Sequence, residues 1–380
     1  MRSPGSVSLL LLNFAFGGLV WSDEPLDPNL PYSGTLSDPI EHEVDFSVVV
    51  TPPYHCRVLK VWLPLPQTSN AQIVSEGRLS TFPMQVEPHV NVEPRFGNKF
   101  AYFEFHEPQG AQIVRHRFKA KVFQVDWNLQ PENVQAVASW PMSFDVYREP
   151  DEVASLGDIQ EIVQSLVPRI NNPAGDFFKL AEWIDSNLTY DHVKASLRAD
   201  AEHAFTLRRG HCSDYHGLCS TMTRALGYPA RVTYGLGLYP KNSPSHCKVE
   251  AFLPPYGWVS FDVSETQKLV EKIGKDEKLS EEQQQRLNKA ARDRFHAGFR
   301  ENSWLLLTSG TNYELVPPAA AGKVPVVRTI YAEADGVALP DPDPANVEQR
   351  EFAWMTVHEY KSDKPFKKPF SDYSTLEIKP

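Results

Sequence analysis

The stretch Gly210-His211-Cys212-Ser213 decides how this sequence of 380 residues is interpreted. The glycine allows a tight turn just before the cysteine, and residues 213–224 have the pattern of a helix. Cys212 is therefore predicted at a helix N-terminus. There the helix dipole and the free backbone N–H groups favour a thiolate and can stabilise an oxyanion. The stretch thus predicts a nucleophilic cysteine.

A histidine and an aspartate follow at positions that suit a catalytic triad. Residues 246–253 and 258–263 are each typical of a strand, and residues 254–257, Pro-Pro-Tyr-Gly, form the turn between them. A hairpin of this kind would bring His246 and Asp262 side by side. A thiol needs a neighbouring imidazole to hold it as thiolate near neutral pH, and the imidazole needs a third group to fix its tautomer.

Each of these residues also has a purely structural interpretation. Cysteine is among the most buried residue types, His246 could be a satisfied structural histidine, and Asp262 could be a turn or capping residue. A metal site is a further alternative, since possible ligands cluster in the sequence at His203, His211, Cys212 and His216. Neither a Cys-x-x-Cys nor a His-Glu-x-x-His pattern supports it. We expect no metal and no cofactor.

The combined motifs resemble the transglutaminase-like superfamily. They include the Leu-Gly-Tyr-Pro-Ala-Arg turn at residues 226–231 and the Gly-Trp pair before the aspartate. The resemblance is strong over roughly residues 150–265 and weaker toward about residue 340. It implies a papain-like core with Cys212 as nucleophile, His246 as base and acid, and Asp262 as the residue that orients the imidazole.

The sequence departs from the family pattern at one position. The family's His-x-Trp-x-Glu is His-Cys-Lys-Val-Glu at residues 246–250, so Lys248 replaces the aromatic residue. In a strand Lys248 points to the same side as the histidine, which affects the polarity of the cleft and its substrate preference. We expect Tyr190, His211 and Lys248 to line the substrate cleft; for Tyr190 a packed core position is an equal alternative.

Composition narrows the class of protein. The length suits two or three domains, and 41% hydrophobic residues support real cores. The formal net charge of −10 argues against nucleic acid as a partner and offers no basic face for anionic lipid. Four cysteines in the whole chain weaken the interpretation as a structural disulfide protein.

The N-terminus is typical of an export signal. Arg2 supplies positive charge, residues 7–20 are apolar, and Ser22 is the small residue expected before a cleavage point. We expect a signal peptide at residues 1–22 and an exported mature protein, with an uncleaved anchor as the alternative. No other run of residues is apolar enough to cross a bilayer. Residues 23–40 are Pro-rich and acidic and are predicted to be a disordered lead-in.

The remaining chain is predicted as an α+β protein with an antiparallel β-sandwich before a papain-like core. In residues 115–125 basic residues alternate with Phe118, Ala120 and Val122, as in a half-buried strand. Exported transglutaminase-like proteins are similar in having a β domain before the catalytic one. The predicted segments are a sandwich at 41–129, a linker at 130–151, a transglutaminase-like domain at 152–340, a charged helical insertion at 267–300 within it, and a C-terminal strand and tail at 341–380.

The predicted function is thiol-dependent acyl transfer on an amide, through a thioester on Cys212. Water as acceptor makes the protein a peptidase or amidase, and an amine makes it a protein-glutamine transamidase. We favour hydrolysis, since the protein is predicted to be exported and its sequence has no motif that indicates binding of an amine. The expected partner is a peptide or protein substrate, with no nucleic acid and no membrane span after signal cleavage. The alternative from another class is a catalytically silent binding or scaffold module of the cell envelope.

Overall fold

The computed structural model describes residues 26–150, 153, 155–343, 346, 348 and 353–377. It is a mixed α+β protein with mostly antiparallel sheets and a β-rich N-terminal region, as the sequence predicts. The predicted signal peptide lies outside the described residues. Among the helices of the described part of the chain, none has the length and apolar character that a membrane crossing requires.

The strands and helices have the following bounds. The strands are β1 (Thr35–Val50), β2 (Val58–Leu65), β3 (Gln72–Phe82), β4 (His89–Val92), β5 (Lys99–His106), β6 (Gln112–Asp126), β7 (Thr189–Tyr190), β8 (Arg209–Gly210), β9 (Ala230–Gly237), β10 (Ser245–Phe252), β11 (Trp258–Phe261), β12 (Phe299–Arg300), β13 (Trp304–Ser309), β14 (Tyr313–Ala319), β15 (Gly322–Val324), β16 (Tyr331–Ala334), β17 (Val337–Ala338) and β18 (Trp354–Ser362). The helices are α1 (Asp145–Arg148), α2 (Leu156–Leu166), α3 (Pro173–Asn187), α4 (Ala201–Leu207), α5 (Cys212–Ala225), α6 (Val263–Lys275) and α7 (Glu281–Ala297).

Two sheets form the sandwich. One has the order β12-β6-β1-β18, with β3 also paired to β6, and the other has the order β17-β16-β2-β5-β4. The alternation predicted for β6 is present: Phe118 and Ala120 are buried, whereas Arg117 and Lys119, which alternate with them, are exposed. A period of two places every second side chain on the core face, which is why this sequence forms a half-buried strand.

The sandwich begins earlier than predicted and is completed by the end of the chain. The prediction of a disordered lead-in at 23–40 is wrong for residues 35–40, which form the start of β1 and pair with β6. Before them, Tyr32 is buried and the Pro28 carbonyl accepts a hydrogen bond of 2.8 Å from the Trp258 indole. The C-terminal strand β18 pairs with β1 along its length. Composition alone could not reveal these pairings, because their partners lie far away in sequence.

Helix α5 is the centre of the second part of the molecule. It packs against the four-stranded sheet β11-β10-β9-β13 and is surrounded by α2, α3, α4 and α6. Tyr215 and Leu218 on the helix share a buried cluster with Val249 and Ala251 of β10. Burying one such large apolar side chain stabilises the fold by about 1.5–3 kcal/mol. Every residue of α5 from Cys212 to Arg224 is buried, so the surrounding elements hold the first residue of this helix in a fixed place.

The charged insertion predicted at 267–300 contains most of α6 and all of α7, and both helices bury apolar residues. Leu269 and Ile273 of α6 are fully buried and pack with Leu287 of α7. The C-terminal strap, residues 363–377, covers this pair instead of forming a free tail. Leu376 joins the same cluster, and the Tyr373 hydroxyl donates a 2.7 Å hydrogen bond to the Asp276 carboxylate. The strap therefore has an ordered place beside α6.

A matched pair of glycine substitutions tests how tightly the sandwich and the core are joined. Gly310 and Gly97 both have a positive φ, at 82° and 77°, but a Cβ on Gly310 would lie 2.3 Å from the Phe96 ring, whereas one on Gly97 would meet nothing within 4 Å. Alanine costs about 1–2 kcal/mol at either site from backbone strain. At Gly310 the overlap adds about 1–3 kcal/mol. Urea unfolding should show the larger loss of unfolding free energy for Gly310→Ala; equal losses would contradict this packing.

Candidate functional site

Cys212 is the first residue of α5, as the sequence predicts for a nucleophile. Gly210 ends strand β8 and does not form the predicted tight turn; it is needed because a Cβ there would lie 2.4 Å from the Asp214 carboxylate. That carboxylate accepts a 2.8 Å hydrogen bond from the His211 backbone N–H and so fixes the entry into the helix. The N-terminus of this 14-residue helix points its N–H groups toward the cysteine, where they favour negative charge.

The Cys212 thiol is buried among polar groups. The residue is 2% exposed, and its Sγ lies 3.1 Å from Nδ1 of His211. Burial alone would raise the pKa of this thiol, but a hydrogen bond from the Cys247 thiol and the nearby His211 and His246 rings outweigh burial. The pKa of Cys212 consequently lies well below its ordinary value of 9.0. The structure thus favours a thiolate at this position.

His246 and Asp262 meet across the hairpin β10–β11. His246 Nε2 lies 2.6 Å from Asp262 Oδ2, which leaves the other ring nitrogen free to hydrogen-bond Cys212. Burial lowers the pKa of His246, but the Asp262 and Cys212 charges reverse this and raise it to about 9. The Trp304 indole donates a 3.1 Å hydrogen bond to the His246 carbonyl and fixes the start of the strand. The imidazole is therefore positioned to carry a proton beside the thiolate.

Asp262 has two structural tasks, one for each carboxylate oxygen. Oδ1 caps α6 by accepting hydrogen bonds from the Glu265 N–H at 3.0 Å and the Ser264 hydroxyl at 3.2 Å. Oδ2 accepts from His246 and from the Lys248 ammonium at 2.8 Å. Burial raises the pKa of Asp262, but Lys248 and then His246 hold it well below its ordinary value of 3.8. Asp262 is thus both the N-terminal cap of α6 and the hydrogen-bond partner of His246.

Lys248 is not placed as the sequence predicts. Instead of lining an open cleft, it is completely buried, with its ammonium 2.8 Å from Asp262 and 2.9 Å from Glu301. The ammonium also lies 4.8 Å from the centre of the Phe370 ring, which belongs to the strap. Burial lowers the pKa of Lys248, but the two carboxylates outweigh burial and raise it. A buried ammonium needs paired charges, and Lys248 has them in Asp262 and Glu301. Its ion pair in turn fixes the position of the Asp262 carboxylate.

Tyr190 and His211 lie beside the thiol. Tyr190 is half-buried on β7, and the centre of its ring is 5.4 Å from that of His211. The Lys268 ammonium lies 4.3 Å from the centre of the Tyr190 ring. Tyr190 also packs against the cluster that contains Cys212. Both residues therefore lie in the immediate surroundings of Cys212, and their role in lining a substrate cleft stays a prediction.

Several neighbours of the site were missed at the level of sequence. Cys247 and His216 contact each other at 3.3 Å, between Sγ and Nδ1, directly behind Cys212. The Tyr234 hydroxyl is buried in the Cys212 cluster and has no hydrogen-bond partner among the described residues. Residues 368–371 of the strap line a narrow cavity beside His246. Strand alternation could have indicated that Cys247 faces the opposite side of the sheet from His246. No local sequence pattern indicates that the strap lies beside the site.

The four possible metal ligands that cluster in the sequence do not converge. His203 Nε2 lies 2.6 Å from the Lys194 carbonyl, and His216 Nε2 accepts the Val263 N–H. A different group, His192, His211 and Asp343, offers ligand atoms within 4.8 Å of one another. Donors that bind one zinc ion at about 2.0–2.2 Å lie roughly 3.3–3.6 Å from each other in a tetrahedral site, and His192 Nδ1 is 3.6 Å from Asp343 Oδ2, so the spacing of this pair is compatible with a divalent cation.

Comparisons with known proteins connect this site to a family. The transglutaminase-like superfamily matches residues 160–263. An uncharacterized protein of Haemophilus influenzae is 22% identical over 213 residues, which span 50% of this chain and only 56% of that relative. The crystal structure of a proposed cysteine protease from Cytophaga hutchinsonii aligns over 90% of this chain and 97% of its own, with a TM-score of 0.61 and 14% identity. That likeness shows a shared fold.

One further solved structure gives a weaker alignment. The periplasmic domain of TgpA from Pseudomonas aeruginosa aligns over 62% of this chain and 91% of that domain, with a TM-score of 0.34 and 14% identity.

Replacing Asp262 by asparagine tests what its charge does. Asparagine keeps the shape and can still cap α6, but it removes the charge that stabilises an imidazolium at His246. The pKa of His246 should fall and that of Cys212 should rise, so alkylation of Cys212 by iodoacetamide should need a higher pH. At neutral pH the alkylation rate should fall by roughly two to four orders of magnitude.

The measurement is a pH–rate profile of alkylation for wild type and for Asp262→Asn. Asp293→Asn on α7 is the matched control, because it removes an equal charge from a carboxylate that pairs with Lys289 at the surface. Superimposable profiles for all three proteins would mean that Asp262 serves only the fold. Thermal stability is no substitute for this readout, since removing a buried partner of Lys248 also costs folding energy.

Proposed function

Because residues 160–263 carry a transglutaminase-like core, we propose that this protein transfers acyl groups from amide substrates through a thioester on Cys212. The observation that carries the proposal is a continuous line of contacts: the Cys212 thiol, the His246 ring that hydrogen-bonds it, and the Asp262 carboxylate 2.6 Å from that ring. A thiol of lowered pKa beside an imidazole of raised pKa is the arrangement that nucleophilic catalysis by cysteine requires.

In the first step the Cys212 thiolate attacks the amide carbonyl carbon and forms a tetrahedral intermediate. Its oxyanion lies at the N-terminus of α5, where the backbone N–H of Cys212 can donate to it. The His246 imidazolium then gives its proton to the leaving nitrogen, the C–N bond breaks, and a thioester remains on Cys212. Asp262 stabilises the imidazolium before the transfer and fixes the ring afterwards.

In the second step neutral His246 takes a proton from the acceptor, which attacks the thioester carbonyl. The C–S bond breaks, and the proton on His246 and the thiolate on Cys212 are restored. Water as acceptor gives hydrolysis, and a primary amine gives transamidation. We favour hydrolysis by a peptidase or amidase, because Cys212 is 2% exposed and a small acceptor reaches such a site more easily than a protein amine.

The substrate we propose is a peptide or protein segment outside the cytoplasm. The export-type pattern of residues 7–20 supports the location. Tyr190 on β7 and the loop residues Ala199 and Val326 pack against the buried cluster that contains Cys212, so turnover requires the loops that carry Ala199 and Val326 to move aside. Gating of this kind is common in enzymes that bind extended substrates.

Cys212→Ala tests the nucleophile. The wild type and the variant are incubated with a fluorogenic peptide library, and separately with glutamine-containing peptides plus a labelled primary amine. We expect the wild type to turn over at least one library member and the alanine variant to keep no more than a few per cent of that rate, with an unchanged circular dichroism spectrum. Cys219→Ala is the matched control, since Cys219 lies fully buried on the same helix about 10 Å further along its axis.

The two arms of the assay separate the acceptors. Release of peptide fluorescence without incorporation of amine supports hydrolysis, and incorporation of amine supports transamidation. Activity that persists in Cys212→Ala contradicts the assignment of the nucleophile. Absence of turnover in both arms, together with slow alkylation of Cys212 at mildly acidic pH, would favour the silent binding module.

A further inference from the structure

A second cysteine lies directly behind the proposed nucleophile. Cys247 follows His246 on β10 and belongs to the same buried cluster as Cys212, together with Val232 and Tyr234. All four cysteines of the chain are free and buried in this structure, but Cys247 is the one whose thiol hydrogen-bonds Cys212. The side chain of Cys247 points toward α5, as does that of Val249 two residues later. The two sulfur atoms are therefore already neighbours.

The hydrogen bonds around Cys247 have a defined direction. The Val263 backbone N–H donates to Nε2 of His216 at 3.1 Å, so this nitrogen carries no proton. Burial lowers the pKa of His216 to about 4, and the ring is accordingly neutral. Its proton must then sit on Nδ1, which lies 3.3 Å from Cys247 Sγ and donates to it. The Cys247 S–H is left to donate to Cys212.

The two thiols differ in a way that suits oxidation chemistry. Cys212 is the more acidic and reacts first with an oxidant, because the thiolate is the nucleophile. Burial, followed by the neighbouring Cys212 charge, raises the pKa of Cys247, which stays protonated while Cys212 is a thiolate. A reactive thiolate beside a protected thiol is the arrangement of a redox-responsive pair with a resolving cysteine.

We propose that Cys247 is a resolving cysteine that captures oxidised Cys212 as a Cys212–Cys247 disulfide. The Cys212 thiolate attacks one oxygen of a hydroperoxide, an S–O bond forms, the O–O bond breaks, and hydroxide or alkoxide leaves. The Cys247 sulfur then attacks the sulfenic sulfur of Cys212, the S–O bond breaks, and the departing hydroxide takes the Cys247 proton as water. The hydroxide released in the first step takes the proton that His246 holds for Cys212, so for hydrogen peroxide the sum is two thiols and one peroxide to one disulfide and two waters.

The disulfide blocks the nucleophile and protects it. A sulfenic acid without a partner is oxidised further to sulfinic and sulfonic acids, which ordinary thiols do not reduce, whereas a disulfide is reversed by a small dithiol. The inference rests on the proposed function only in that Cys212 must be a reactive thiolate.

The other two cysteines are not placed for this role: Cys219 points into the helical core, and Cys56 lies in the sandwich.

The experiment treats wild type and two variants with hydrogen peroxide, alkylates free thiols under denaturing conditions, and maps tryptic peptides without reduction. Cys212 and Cys219 share the peptide of residues 210–224, and Cys247 lies in the peptide of residues 242–248. In wild type we expect a cross-link between these peptides that dithiothreitol removes, with recovery of iodoacetamide labelling at Cys212. Cys219→Ser should keep the cross-link, which assigns it to Cys212.

In Cys247→Ser the cross-link should be absent, and the Cys212 peptide should gain two or three oxygen atoms that dithiothreitol does not remove. Serine keeps a hydrogen-bonding group beside His216, and the wild-type and Cys219→Ser results stand even if this variant folds poorly. The proposal is overturned if Cys212 is overoxidised in wild type without a cross-link, if Cys219→Ser abolishes the cross-link, or if Cys212 resists peroxide that oxidises free cysteine.

These readouts need no amide substrate. A cross-link in a protein that cleaves no amide would contradict the proposed function alone, and amide turnover without a cross-link would contradict this inference alone.

Discussion

The buried carboxylate of Asp262 is the group on which the rest of the site depends. One of its oxygens starts α6, and the other receives the His246 ring and the Lys248 ammonium. Burying an unpaired carboxylate costs several kcal/mol, so the fold must supply partners for it. These partners come from β10 and from the first turn of α6. The same interaction that ends the hairpin and begins the helix therefore sets the orientation of the imidazole toward Cys212.

Lys248 explains how the charge at Asp262 stays fixed. Paired with Asp262 and Glu301 and removed from water, it remains an ammonium and keeps Asp262 ionised. In the proposed reaction the proton therefore moves between Cys212 and His246, and Asp262 stays ionised. The usual aromatic residue of the family could not supply this charge, so the departure from the family pattern at this position changes the electrostatics beneath the site. Because Lys248 is completely buried, this substitution does not place a polar group in an open substrate cleft.

Local patterns in the sequence were sufficient to predict the central residues. A glycine before the cysteine, a helical pattern after it, and two strands around a proline-rich turn predicted Cys212, His246 and Asp262 in the places where the structure has them. Alternation in β6 likewise predicted a half-buried strand. The prediction for Lys248 was wrong, because its burial depends on Glu301 and on Phe370 of the strap, which are distant in sequence. The strap and the pairing of β18 with β1 were missed for the same reason: each is determined by its partner and not by its own composition.

The proposed chemistry requires that Cys212 and His246 exist as a thiolate–imidazolium pair. The most direct measurement is a pH titration of thiolate ultraviolet absorbance, taken as the difference between wild type and Cys212→Ala. We expect a thiolate that forms well below pH 9.0, the ordinary pKa of the group, and a second, smaller step near pH 9 as His246 loses its proton. A single step at or above pH 9.0 would contradict the ion pair and, with it, the role assigned to Asp262.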